Sequence, residues 1–75
     1  MQIHFSKRLY QRKCIESAVQ AFEQFICLKE ITEDEYNFKV ELEIKKTEYS
    51  ESCISGRFKN FSLELSIEEL AKNYV

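Results

Sequence analysis

The chain is 75 residues long, with 44% apolar residues, six Phe, four Tyr and a formal net charge of −2. That length excludes a second domain, the apolar share excludes a disordered chain, and the acidic balance argues against general nucleic-acid binding. With one Gly and no Pro, tight turns are scarce and regular elements should dominate.

Residues 2–8 open the chain with Ile3 and Phe5 alternating against polar neighbours, which predicts a strand with His4 facing outward. Leu9 and Tyr10 break the phase and are expected to anchor the strand end. Ile15, Ala18, Val19, Phe22, Phe25 and Ile26 then recur at spacings of three and four, so an amphipathic helix is predicted over 11–26. Cys14 borders its apolar face, where a thiol behaves as a small hydrophobe. A short strand over Cys27–Ile31 follows, and the acidic turn Thr32-Glu33-Asp34-Glu35 joins it as a hairpin to a strand over 36–46. There Tyr36, Phe38, Val40, Leu42 and Ile44 alternate with polar residues, the pattern of a strand with one dry and one wet face.

Two readings stand for residues 51–65. Ile54, Phe58, Phe61 and Leu65 recur at helical spacing, although Gly56 costs a helix about 1 kcal/mol relative to Ala. The competing reading is a hairpin turning at Ser55-Gly56, with Arg57–Leu65 as a strand; the helix is preferred. Ser66 followed by Glu69 fits a capping box that starts a last helix, with Ile67, Leu70, Ala71 and Tyr74 as its apolar stripe. The order predicts one α+β domain over 1–75: a two-layer β-α-β-β unit followed by a helical C-terminal segment. Its three-stranded, mostly antiparallel sheet has the 36–46 strand in the middle and one long helix, 11–26, across one face.

Catalytic chemistry finds little support. Cys14, Cys27 and Cys53 form no C-x-x-C pair, and a zinc site would need all three to converge with His4, the lone histidine. Buried free thiols in a reducing cytosol are the simpler reading. The acidic runs look like a turn, the wet edge of a strand and the first turn of a helix, where Glu68 and Glu69 suit the positive end of the dipole. No glycine-rich phosphate loop occurs. The expectation is therefore a non-enzymatic chain with no cofactor and no metal. No apolar run approaches the ~20 residues that cross a bilayer. No signal-peptide core opens the chain, so a cytoplasmic, membrane-free protein is expected.

The charge is uneven. Residues 1–25 hold four basic and two acidic side chains, against seven and eleven in the remainder. Lys7, Arg8, Arg12 and Lys13, interleaved with Tyr10, form the one basic cluster, which Lys45, Lys46, Arg57 and Lys59 could extend. It is the candidate contact for an anion, a nucleic acid or an acidic partner, set against the simpler reading of a solvated join. Arg12 and Lys13 fall in the first helical turn, where the dipole disfavours cations, and Gln11 is a poor cap. Partner surfaces are the better prospect. A small sheet leaves edge strands, which a peptide or a second copy could cover by strand addition, giving a homodimer in the second case. Tyr36, Phe58, Phe61 and Tyr74 serve either as core filling or as partner-facing aromatic area.

The ordered pattern of a short strand, Leu9-Tyr10, the run Ile15–Phe22, an alternating hairpin and the run Phe58–Leu65 resembles the HxsD family. These are small proteins encoded beside His-Xaa-Ser repeat peptides and their radical SAM maturases. The matching positions are Leu9, Tyr10, Ile15, Ala18, Phe22, Phe58, Asn60 and Leu63. Family members tend to carry Ser after the tyrosine, where it can cap the helix; here Gln11 stands there, and Ser66–Val75 replaces the acidic and basic signature expected near the end. The resemblance implies an accessory or binding component beside a peptide-modifying enzyme, with no catalytic residues to carry over.

Overall fold

A computed structural model of the protein describes residues 1–45 and 47–72, so Lys46 and Tyr74 lie outside the described residues. Strand β1 (Gln2–Ser6), helix α1 (Arg12–Ala21), strands β2 (Ile26–Glu33) and β3 (Asn37–Ile44) and helix α2 (Glu51–Lys72) follow in that order. The strands form one three-stranded antiparallel sheet in the order β1-β3-β2, with α1 as the crossover between its two edges. The α+β architecture is the expected one.

Alternation does the sorting within the sheet. Phe38, Val40 and Leu42 of β3 are buried, and the register places Phe5 beside Phe38 and Ile3 beside Val40 on the same face. His4 lies on the opposite, solvated face beside Lys39, with Nε2 3.3 Å from Gln2 Oε1. Both helices cover the apolar face. Phe58 of α2 is fully buried and meets Phe5 and Phe22 edge-on, at centroid distances of 5.9 and 5.6 Å. Tyr10 meets Phe5 in the same manner at 4.8 Å. Such pairs add about 0.5–1.5 kcal/mol each beyond the area they bury. Phe58 and Phe61 thus belong to the core and its packed margin, whereas Tyr36 is 69% exposed.

The bounds of every element differ from expectation. β1 ends at Ser6, because the carbonyl of Ser6 accepts from the N–H groups of Leu9 and Tyr10 and turns the chain. Tyr10 enters the core, while Leu9 is 55% exposed and anchors nothing. α1 stops at Ala21, five residues early. The Phe22 carbonyl accepts from both Phe25 and Ile26, and the Lys45 N–H then donates to the Phe25 carbonyl at 2.7 Å, so the β3 ladder takes over. Phe22 and Phe25 still pack against the core and Ile26 lies within it, so the apolar period runs through the turn and hides it. β2 is correspondingly longer than expected and takes Thr32 and Glu33 out of the turn, while β3 begins at Asn37, leaving Tyr36 in the turn, and ends at Ile44, before Lys45.

The difference after β3 is the largest. Residues 51–72 form one continuous helix of 22 residues, so α2, not α1, is the long helix. The hairpin alternative is absent, and Ser66 starts no new helix. Nothing between the two segments breaks a helix, since Gly56 is the only weak former and there is no Pro. Ser50 caps α2, its Oγ accepting the Cys53 N–H at 3.1 Å. The buried stripe of α2 is Ile54, Phe58, Ser62 and Ser66. Small serines here let α1 and α2 approach closely.

Candidate functional site

The basic join is largely neutralised from within. Lys7 Nζ lies 2.6 Å from Glu33 Oε2 and over the Phe38 ring. Arg12 pairs with Glu16 one turn along α1 at 3.1 Å and with the other oxygen of Glu33 at 3.7 Å. Lys13 Nζ donates to Glu69 Oε1 of α2 at 2.6 Å. The bond to Lys7 holds the Glu33 carboxyl below its usual range, and the bond to Lys13 does the same for Glu69 while raising the Lys13 ammonium. Tyr10 is buried, which pushes its phenol up, and it offers no surface contact. Arg8 is the one cation of the segment without an ion pair among the described residues.

The helix-start conflict is resolved by tertiary contacts. α1 has no side-chain cap of its own and no acid in its first turn. The Gln11 N–H donates instead to Ser66 Oγ of α2 at 3.2 Å, and Glu33 and Glu69 supply the negative charge that the start of α1 lacks. Sequence reasoning missed Glu33, Glu69 and Ser66 in these roles, because each belongs to an element distant in the chain. Of the residues expected to extend the patch, Lys45 Nζ donates to the Glu23 carbonyl at 2.6 Å, and Lys59 sits 5.9 Å from the Phe5 ring centroid.

The free edge of β2 is the larger feature. Antiparallel strands exchange hydrogen bonds at every second residue, so alternate backbone groups face away from the partner. The Asp34 N–H donates to the Asn37 carbonyl, and the Lys45 N–H to the Phe25 carbonyl. Counting from those two bonds along the register, the backbones of Ile26, Leu28, Ile31 and Glu33 point to the open edge. A bulge between Leu28 and Glu30 leaves Lys29 without a register partner. Leu28 is 36% exposed and Ile31 partly so, both on the helix-covered face beside Leu42 and Val40 of β3. At the hairpin, Asp34 Oδ1 accepts the N–H groups of Tyr36 and Asn37 at 2.8 Å each, which holds its carboxyl below the usual range and fixes the register.

The thiols are scattered. Cys14 is buried in α1, Cys53 is half-buried in α2, and Cys27 is exposed on β2, contrary to the expectation that all three are buried. Cys53 lines a shallow apolar groove of ≈ 170 Å³ with Phe22, Phe25, Tyr49, Ile54 and Arg57. Among the described residues no three His, Cys, Asp or Glu side chains converge as metal ligands, and no helix is long and apolar enough to cross a membrane. No family, no curated protein and no solved structure matches the chain.

Proposed function

We propose that the chain is a non-catalytic binding module that takes a protein or peptide partner by strand addition at β2. The observation that carries this is an eight-residue edge strand with four outward backbone positions and two partly uncovered apolar side chains, Leu28 and Ile31. Three free thiols, one exposed, suit a reducing cytoplasm. The resemblance to HxsD proteins makes a peptide or enzyme of a maturation system the first partner to try. Titration of the nitrogen-labelled chain with polypeptides encoded beside it should shift the amide signals of Ile26, Leu28, Ile31 and Glu33. Binding that leaves those amides unmoved refutes the reading, as does an edge that takes neither these polypeptides nor a second copy of the chain.

The alternative, an anion or nucleic-acid site on the join at residues 7–13, rests chiefly on Arg8, which is exposed and unpaired among the described residues. Reversing the charge of Arg8 and Arg12 should abolish retention on a phosphate polymer if that site exists. Unchanged retention removes it.

A further inference from the structure

The open edge of β2 is complementary to itself. From this we propose that its partner is a second copy of the chain, docked antiparallel with Leu28 opposite Ile31 of the second copy. The inference rests on the reading of β2 as a strand-addition edge. Its outward backbone groups belong to Ile26, Leu28, Ile31 and Glu33, and the bulge at Lys29 spaces them unevenly. A regular strand presents its groups at every second residue, so it can match only half of that pattern at a time. The pattern does match itself. A two-fold axis between Lys29 and Glu30 sets Ile26 opposite Glu33 and Leu28 opposite Ile31 of the second copy, and all four residues find partners.

Side chains agree with this register. Leu28 and Ile31 stand against Leu42 and Val40 on the helix-covered face, so the two copies would join them into one apolar strip. Glu30 stands directly against Glu41, a like charge, and has no ion pair among the described residues. Lys29 turns to the same solvated face, its Nζ 3.6 Å from Glu43 Oε2. The proposed register puts Lys29 of the second copy opposite Glu30, which supplies the missing countercharge twice per dimer. Cys27 meets Thr32 of the second copy on that face. The product is a continuous antiparallel sheet through both copies with all helices on one side. Other registers either leave edge groups unmatched or set like charges together.

Sedimentation equilibrium should give twice the 9.0 kDa of one chain. Lys29→Glu and Glu30→Lys should each weaken the dimer about tenfold, while the double exchange restores it, because only the pairing of opposite charges matters. Failure of the double exchange to restore association overturns the register. An independent check uses Cys27. With Cys14 and Cys53 replaced by Ala, mild oxidation of Thr32→Cys should yield a disulfide-linked dimer, since facing residues at a non-hydrogen-bonded pair lie within bridging distance. A dimer of the Thr32-containing chain linked through Cys27 itself would overturn the register too. A monomer at every concentration overturns the inference, yet leaves strand addition standing if a peptide still shifts the β2 amides.

Discussion

Replacing Gly56 by Ala separates the helical structure of residues 51–72 from the hairpin that the same sequence permits. Gly56 is exposed near the start of α2, its φ is not positive, and a methyl group built there meets no heavy atom within 4 Å. No steric cost therefore offsets the change in helix propensity, which favours Ala by about 0.8–1 kcal/mol. Part of the gain arises in the unfolded chain, whose backbone freedom Ala reduces. For a domain of this size, about 1 kcal/mol corresponds to a rise of roughly 4–8 °C in Tm. The urea midpoint should move up by somewhat under about 1 M at an m value near 1 kcal/mol/M. Urea titration followed by far-ultraviolet circular dichroism measures it. A turn at Ser55-Gly56 would respond in the opposite direction, so a fall in the midpoint refutes a continuous α2.

The two buried serines of α2 should respond differently to the same change. Ser62 Oγ donates only to the Phe58 carbonyl of its own helix, so Ser62→Ala should be neutral or slightly stabilising. Ser66→Ala strips the Gln11 N–H of its partner and should cost about 1 kcal/mol more than the Ser62 change; equal effects in urea titration would contradict the cross-helix role. Stability should also fall in acid. The carboxyls of Glu33, Asp34 and Glu69 are held below their ordinary values. Their contributions are therefore complete above the unfolded values near 4 and are lost as the pH drops through the lower folded values. Lys13, shifted upward, has the opposite sign, its contribution disappearing as the pH rises through its folded value. A urea midpoint that stays level between about pH 5 and pH 2 would show that these pairs contribute nothing.

The period-two run from Phe38 to Ile44 and the period of α1 were legible because burial on one face imposes a residue spacing that needs no knowledge of the partner. They were enough for the strand order and the α+β class. Helix ends were not legible. Phe22, Phe25 and Ile26 all contact the core, so hydrophobicity continues where the backbone changes course, and the β3 ladder that stops the helix lies twenty residues further along the chain. Ser66 and Glu69 carried a true local signal for a helix start, which lost to the uninterrupted helix around them.

The basic residues at 7–13 show the same division. Sequence determined that four cations cluster at the start of α1, against its dipole and without a cap. Only the tertiary structure decided what becomes of them. It brings Glu33 from β2 and Glu69 from α2 to three of the cations and gives the Gln11 N–H to Ser66. The bulge at Lys29 is tertiary in origin as well, being a mismatch of register between two strands that neither strand displays alone. Periodicity reports which face of an element is dry. It carries no term for which distant element arrives there, and the charges, caps and open edges are settled by that arrival.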